Sequence, residues 1–313
     1  MHLLVSYASA PAPGCEAAQQ GLELPNLQKL LSRLAPAGAD EADEFTLAPP
    51  HERALARLRG LPAAHGRQPW AAVALADEGG TPGDHGWAWI TPCHWQIAPD
   101  HISLSDPAGL GLTEAESRAV LAVVAPYFAE DGIVLDYRSP IAWLARGDIF
   151  RTLASASLDR VNGRSLDLWM PDGAAARPLR RLQTEVQMLL YTHPMTDERN
   201  ARGLPAVNSF WASGSGVLPE GVKPMPAGLL APQGLREAAL HDDWQGWREA
   251  WLRIDRGECA AALAALDAGD AVVLTLCGER SAFDFAARRQ GLGDRLRGLF
   301  ARQPRLQDWS GRL

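Results

Sequence analysis

A capped helix followed at once by an apolar strand constrains the fold of this chain more than any other feature of the sequence. Residues 113–130 predict the helix, since Thr113 and Glu116 have the spacing of a capping box and Gly132 follows its end. Apolar residues recur on one face at helical spacing, at Ala119, Val120, Val123, Val124 and Tyr127. Residues 133–137 then predict a strand. A helix that leads directly into a strand indicates the α/β class, in which helices cover a sheet.

Further elements recur along the whole chain. Strands are predicted at residues 2–8, 70–76, 86–91, 101–105 and 271–277, and helices at 26–34, 50–58, 177–191, 242–255 and 258–266. Residues 35–44 are rich in Ala, Gly, Asp and Glu and predict a solvated loop. We expect one compact α/β unit over residues 1–313, with a mixed, mostly parallel sheet and covering helices. Strands 2–8 and 271–277 should share that sheet, with helix 113–130 packed on it.

Composition excludes several classes of protein. The 313 residues carry a net charge of −7 and are 47% hydrophobic, so neither disorder nor nucleic-acid binding is expected. No run of about 18 apolar residues predicts a membrane span, and the first residues lack the basic region of a signal peptide, which indicates a cytoplasmic protein. Four cysteines without a CxxC pair argue against a disulfide framework and against a structural zinc site.

The most informative local pattern lies in residues 193–219. Thr196 is placed to cap a short helix that Gly203 ends. Arg199 and Arg202 are three residues apart, so that they should project from one side of this helix. Two guanidinium groups on one side of a short helix suit an oxyanion such as phosphate.

A predicted strand at residues 207–212 runs into a Ser-Gly-Ser-Gly turn, whose small side chains would let a ligand approach the backbone N–H groups. The predicted anion site comprises His193, Arg199, Arg202, Asn208, Ser213, Gly214, Ser215 and Gly216. The alternative is a tight turn with structural arginines, which would bond carbonyl groups or pair with Glu185 or Glu198.

Nine residues of this segment resemble a motif of the archaeal-type cofactor-independent phosphoglycerate mutases, which belong to the alkaline-phosphatase superfamily. They are His193, Pro194, Arg199, Gly203, Leu204, Pro205, Asn208, Gly214 and Gly216. Over most of its length the chain also resembles the proteobacterial regulatory proteins of the RpfE type, on the strings TPCHWQIAPDHISLSDP, PYFAEDGIVLDY, ASLDRVNGRSLDLW and LQTEVQMLLYTHP. These resemblances imply a reduced alkaline-phosphatase-like fold and a retained anion site.

The chain departs from the mutases where that family has its metal ligands. The resemblance implies two divalent ions, a Ser nucleophile after the N-terminal strand, and Asp and His ligands after later strands. The first predicted strand leads into Ser6, Tyr7 and Ala8 at its end, and the last leads into Cys277, Gly278, Glu279 and Arg280. Two-metal phosphoryl transfer requires a full set of carboxylate and imidazole ligands. We therefore expect no metal and no cofactor, and the sequence identifies no catalytic residue.

Other groupings are interpreted structurally. The densest potential metal ligands are Asp84, His85, Cys93 and His94, whose spacing matches no standard zinc pattern. Tryptophans at i, i+3 and i+7 of the helix at 242–255 are typical of a core stripe, with an aromatic ligand shelf as the alternative. Cys277 is expected to be buried and inert.

Three functions from different classes follow from these patterns. The first is a phosphoglycerate-mutase-like protein that lacks the two-metal catalytic set and binds a small anionic, phosphorylated metabolite in a regulatory role. The second is a diverged metal-dependent phosphoglycerate mutase or phosphatase, which converging Asp and His ligands would mark. The third is a protein-interaction module with a Trp-rich surface. The sequence determines neither the oligomeric state nor the pathway.

Overall fold

The computed structural model describes residues 1–63, 65–287 and 304–313. The strands among these residues are β1 His2–Val5, β2 Leu34–Glu41, β3 Trp87–Cys93, β4 Trp95–Ile97, β5 Ile102–Leu104, β6 Val134–Ser139, β7 Ala142–Arg146, β8 Ser209–Gly216, β9 Leu229–Leu230, β10 Val273–Cys277 and β11 Ser281–Ala287. The α-helices are α1 Pro13–Gln19, α2 Pro25–Arg33, α3 Pro50–Arg59, α4 Trp70–Asp77, α5 Glu114–Glu130, α6 Leu158–Val161, α7 Arg177–Tyr191, α8 Pro194–Ala201, α9 Gly234–Leu240, α10 Trp244–Ile254, α11 Ala260–Asp267 and α12 Gln307–Ser310.

The chain divides into two compact units. The first unit combines Met1–Glu44, Pro49–Arg59 and Met225–Leu313, and the second combines Phe45–Ala48 with Gly60–Pro224. Each unit has its own sheet and its own hydrophobic core. The expectation that residues 1–313 behave as one compact unit stays a prediction.

The sheet of the first unit has the strand order β2-β11-β10-β1-β9. Strand β1 is parallel to both β10 and β9, with His2 opposite Val273 and Val5 opposite Leu276 in the pair with β10. Strand β11 is antiparallel to β10 and to β2. The prediction that strands 2–8 and 271–277 are members of one sheet is therefore confirmed, as is the α/β class with a mixed sheet and covering helices.

Helices cover both faces of this sheet. Leu3 and Val5 belong to the main core, together with Leu274, Leu276 and residues of α2 and α10. Leu4 and Cys277 point to the opposite face, where they pack with Ala54 of α3. This alternation follows from the strand repeat of two, which sends successive side chains to opposite faces. Both faces of β1 are therefore buried, as its continuous apolar sequence requires.

The second unit contains an antiparallel sheet of order β6-β7-β3-β8 and a separate hairpin of β4 and β5. One face of the sheet packs against α5 and α7, with Phe128 and Leu182 among the fully buried residues of that core. The ring centroids of Phe128 and Phe210 lie 4.9 Å apart. Helix α5 begins with the predicted capping box, and α7 has the predicted bounds. Helix α5 packs beside β6 in this unit, so its predicted position on the sheet of β1 and β10 is wrong.

Two predicted elements have the wrong type. Residues 35–44, expected to be a loop, contribute most of β2, an edge strand that pairs with β11. Backbone hydrogen bonds form this pair, and they do not require apolar side chains. Residues 70–76, expected to be a strand, lie in α4. An apolar run of this length does not distinguish a strand from a buried helix, and its four alanines favour the helix.

Two expectations from the composition can be compared with the structure. The four cysteines are all free and buried, and burial raises the pKa of the Cys93, Cys259 and Cys277 thiols. Cys277 is thus a buried thiol, as predicted. Among the described residues, no helix has both the length and the apolar character needed to cross a membrane.

Truncation of a core ring should measure how much the packing of α5 stabilises the second unit. We expect Phe128→Ala to lower the free energy of unfolding by about 3–5 kcal/mol, because a fully buried ring is lost and a cavity remains. Met188→Ala, at a side chain that is 72% exposed on α7, is the control and should change it by less than about 0.5 kcal/mol. Urea unfolding curves of the two variants and the wild type provide the measurement, and equal midpoints for all three would contradict this account of the core.

Candidate functional site

The residues of the predicted anion site begin at the start of α8. His193 is the N-cap of α8, and its Nδ1 accepts a hydrogen bond from the Met195 N–H at 3.3 Å. Thr196, which was expected to be the cap, lies inside α8 and donates its hydroxyl to the Leu190 carbonyl at 2.7 Å. The prediction for Thr196 is therefore wrong, because the helix begins three residues earlier than its sequence signals indicate. His193 has a structural role at the helix start.

Arg199 and Arg202 are brought together, as predicted, on a carboxylate of the chain itself. Arg199 Nη1 lies 3.0 Å and Arg202 Nη1 2.8 Å from Glu116 Oε1. Arg199 is almost fully buried, and it also donates to the carbonyls of Pro205, at 2.9 Å, and of Leu110. The arginines thus bond carbonyls and a carboxylate, but the carboxylate is Glu116 rather than Glu185 or Glu198.

Glu116 is held by the start of its own helix as well as by the arginines. Its Oε2 accepts the Thr113 N–H at 3.0 Å and the Thr113 hydroxyl at 2.9 Å. The bond from the Thr113 N–H is the largest of the influences that lower the pKa of Glu116 to about 2, and the two guanidinium groups add to it against burial. The Glu116 carboxylate therefore stays charged at neutral pH and occupies the arginine pair.

The remaining predicted site residues are also engaged within the second unit. Asn208 accepts the Trp95 N–H at 2.7 Å and donates to the Trp95 carbonyl at 3.0 Å. Ser215 is fully buried, and its hydroxyl donates to the Leu153 carbonyl at 2.6 Å. Ser213 lies in β8 opposite Trp89.

Residues 213–216 are predicted to form a turn, and this prediction is wrong, because they form the end of β8, where Ser213 and Gly216 pair with β3. Two glycines of this segment have positions that a larger residue could occupy only with strain. Gly214 and Gly216 have φ values of +61° and +149°, a region that favours glycine. A Cβ atom at Gly214 would lie 3.1 Å from the Cβ of Trp70, and one at Gly216 would lie 2.9 Å from the Cβ of Pro69. These glycines let the start of α4 approach β8 closely. Binding of an anion by the segment 193–216 stays a prediction.

The potential metal ligands around β3 are dispersed in the structure. Asp84 forms an exposed ion pair with Arg151, with 3.1 Å between the carboxylate oxygen and Nη2. Cys93 is fully buried, and His94 Nδ1 lies 2.8 Å from the Ala206 carbonyl oxygen. These residues do not form a group of three converging ligands.

A second candidate site lies in the first unit, where the parallel strands β1 and β10 end at the same edge of their sheet. In open α/β sheets, ligands bind in the crevice outside the carboxyl ends of parallel strands. The backbone just after β1 is unusual, because Tyr7 has a φ of +52°, which is rare for a residue other than glycine. Such strain is concentrated at functional sites, where the surrounding structure must hold it.

Two buried tryptophans of α10 hold this strained turn. Trp247 Nε1 donates to the Tyr7 carbonyl at 2.8 Å, and Trp251 Nε1 donates to the Ala8 carbonyl at 3.3 Å. The Ala8 N–H donates to the Cys277 carbonyl at 2.7 Å, which ties the turn to the end of β10. The tryptophan stripe is a core stripe, as predicted, and it positions the backbone that leads to Ser9.

The turn after β10 is fixed in the same way. The Arg280 N–H donates to the Leu313 carbonyl at 3.1 Å, and the Arg280 carbonyl accepts Arg53 Nη2 at 3.0 Å. Arg53 is itself paired with Asp40, at 3.2 Å. The Arg280 guanidinium, in contrast, forms no hydrogen bond or ion pair with the residues that the structure describes.

Between the two turns lies a pocket of about 150 Å³. Its lining residues are Ser9, Ala10, Pro11, Glu16, Gln19, Glu279, Arg280, Ser310, Gly311 and Leu313. The buried Ser9 hydroxyl accepts Gln19 Nε2 at 3.1 Å and lies 3.4 Å from the Ser310 carbonyl oxygen, so the floor of the pocket is ordered. We refer to this pocket as the strand-end pocket.

Sequence reasoning identified the two turns but not the pocket. From the sequence, residues 6–8 and 277–280 are interpreted through the metal ligands that they lack and through the Cys277 thiol, and neither interpretation indicates a pocket. The pocket could have been predicted from two apolar strands that are followed by Ser, Glu and Arg. If such strands are parallel neighbours, the residues that follow them meet at one edge of the sheet.

Comparisons with known proteins give two structural likenesses. No protein-family model and no curated protein matches the chain. The PH0037 protein from Pyrococcus horikoshii is similar over 91% of this chain and 87% of its own, with a TM-score of 0.45 and 13% identity. A cofactor-independent phosphoglycerate mutase from Thermoplasma acidophilum is similar over 93% of this chain and 90% of its own, with a TM-score of 0.37 and 13% identity. Neither likeness transfers an activity or a residue role to this chain.

Loss of the Glu116 charge should destabilise the protein in a pH-dependent manner. We expect Glu116→Gln to lower the free energy of unfolding by about 2 kcal/mol at pH 7, since charge-assisted hydrogen bonds are lost. The folded-state pKa of Glu116 is lowered from its ordinary 4.5 to about 2, so the stabilisation is full above pH 4.5 and disappears as the pH falls towards 2. The difference in the free energy of unfolding between variant and wild type, measured by urea unfolding, should decrease as the pH falls from 4.5 towards 2.

Glu114→Gln is the matched control for this experiment. Glu114 and Arg118 form an exposed i,i+4 pair on the same helix, which contributes only about 0.3–0.5 kcal/mol. An equal loss in the free energy of unfolding in the two variants would mean that the bonds between Glu116 and the two arginines do not stabilise the fold.

Removal of one indole N–H should weaken the turn after β1. We expect Trp247→Phe to lower the free energy of unfolding by about 1–3 kcal/mol, because the buried Tyr7 carbonyl loses its partner. Trp309→Phe is the control, since this indole packs on Phe283 and Phe285 and has no hydrogen bond to the described residues. If both substitutions lower the free energy of unfolding by the same amount, the hydrogen bond to the Tyr7 carbonyl does not contribute to stability.

Proposed function

We propose that this protein binds a small anionic metabolite in the strand-end pocket and that it acts as a regulatory protein in the cytoplasm. The proposal depends on one observation, that Arg280 has a fixed backbone and a guanidinium group without a described partner. Hydrogen bonds to both flanking peptide groups fix its backbone, while its guanidinium has no partner among the described residues. A guanidinium presents a planar fork of donors that matches carboxylate and phosphate oxygens.

The contrast with the second unit supports this choice of site. Arg199 and Arg202 already have an anion, the Glu116 carboxylate, so a ligand there would have to displace it. At the strand-end pocket, Arg280 has no carboxylate partner among the described residues, so a ligand there would not have to displace one of them. The ordered Ser9 hydroxyl adds a neutral polar group on the pocket floor.

A regulatory role is favoured over phosphoryl transfer by the donor groups at the strand ends. The turns after β1 and β10 contribute one carboxylate, that of Glu279, besides the Ser6 and Ser9 hydroxyls. A pair of metal ions that share a phosphoryl group requires several carboxylate or imidazole ligands. Membership of the RpfE-type regulatory family stays a prediction, and the net charge of −7 disfavours nucleic acid as the partner.

The third function, a protein-interaction module with a Trp-rich surface, would require exposed tryptophan side chains. All eleven tryptophans lie in the part of the chain that the structure describes, and none of them is exposed. A Trp-rich interaction surface is therefore not supported, because eight of these side chains pack in the hydrophobic cores and the other three are half-buried.

Calorimetric titration with 3-phosphoglycerate and with inorganic phosphate tests the proposed function. We expect Arg280→Ala to weaken binding by about 10- to 100-fold, which corresponds to the loss of one charge-assisted hydrogen bond or a bidentate pair. Arg202→Ala is the matched control and should bind as the wild type does.

The same titrations separate the competing sites. Loss of binding in Arg202→Ala alone would place the anion at residues 193–216. Unchanged binding in Arg280→Ala would reject the strand-end pocket. Elemental analysis that finds one or two divalent ions per purified chain would favour the alternative of a diverged metal-dependent mutase or phosphatase.

A further inference from the structure

We propose that the ligand of the strand-end pocket is a small zwitterion, in which a positively charged amino group accompanies the anionic group, as in an amino acid or its phosphate ester. This inference rests on the proposed function and specifies its ligand class. Arg280 would bind the anionic group, and Glu16 would bind the amino group.

The charge of the pocket wall argues for an amino group. Among the described residues, one guanidinium, that of Arg280, lines the pocket together with the carboxylates of Glu16 and Glu279. A ligand with anionic groups alone would gain the Arg280 guanidinium as a partner and meet the Glu16 carboxylate as a group of like charge. An ammonium group on the same ligand converts that repulsion into a charge-assisted hydrogen bond.

Glu16 is the carboxylate best placed to receive the ammonium group. It lies in the first turn of α1 and lines the same pocket as Arg280. Its carboxylate has no ion pair with the described residues, and in particular none with Arg280 within 4.0 Å. Two opposite charges thus line one pocket without neutralising each other, which leaves space between them for a ligand that carries both charges.

The size of the pocket limits the ligand to a small molecule. At about 150 Å³ it is well below the volumes of sites for drug-sized ligands, which are roughly 300–1,000 Å³. A single amino acid has the required combination of small size and two opposite charges, since its ammonium and carboxylate groups are attached to one carbon atom. Peptides and nucleotides would extend beyond a pocket of this volume.

Two pairs of compounds that differ only in the amino group test this inference. Serine and glycerate form one pair, and O-phosphoserine and 3-phosphoglycerate form the other, since each pair exchanges an ammonium group for a hydroxyl. Calorimetry on the full chain should show the amino member of at least one pair binding about tenfold more tightly, the effect of one charge-assisted hydrogen bond. In Glu16→Gln this preference should fall to less than about twofold.

Glu23→Gln is the matched control, because Glu23 is an exposed carboxylate near α1 that does not line the pocket. It should keep the wild-type preference. Equal affinity for the amino and hydroxyl members in the wild type, with binding that Arg280→Ala abolishes, would overturn the zwitterion and leave the proposed function standing. A preference that survives in Glu16→Gln would overturn the role of Glu16, and failure of all four compounds to bind would reject both proposals.

Discussion

The parallel hydrogen bonding of β1 with β10 is the constraint on which the first unit depends. It joins segments from opposite ends of the sequence, and it sets the register that places Val5 beside Leu276. Because the strands are parallel, the turns that follow them emerge at one edge, and the Ala8 N–H reaches the Cys277 carbonyl. The strand-end pocket exists only because this pairing brings Ser9 and Arg280 to the same place.

The two units use arginine in opposite ways. Arg199 is buried and its charge is balanced by Glu116, so it joins α5 to α8 and stabilises the fold. Arg280 is held through its backbone N–H and carbonyl, and within the described part of the chain its guanidinium has no hydrogen bond or ion pair. From residue type and local spacing alone, Arg199 and Arg280 would both be interpreted as possible anion-binding residues. The difference arises from which carboxylate the fold brings near each guanidinium.

Local signals predicted much of the fold, and long-range contacts explain what they missed. The capping box of α5 and the bounds of α7 depend on nearby residues, so the sequence was sufficient for them. Strand β2 was missed because its stability comes from pairing with β11, at least 240 residues away. The partner of Arg199 was missed for the same reason, since Glu116 is 83 residues distant in the chain. Ser9 and Arg280 are even further apart, so the pocket could not be predicted from local spacing.

The split of the first unit across the sequence has a consequence for synthesis on the ribosome. Strand β10 is translated about 270 residues after β1, and the whole of Gly60–Pro224 is made in between. At roughly 5–20 residues per second, β1 waits on the order of 15–55 seconds for its neighbour. During that interval the apolar segment Leu3-Leu4-Val5 is without the neighbouring strand β10, while all the strands of the second unit's sheet have already been made.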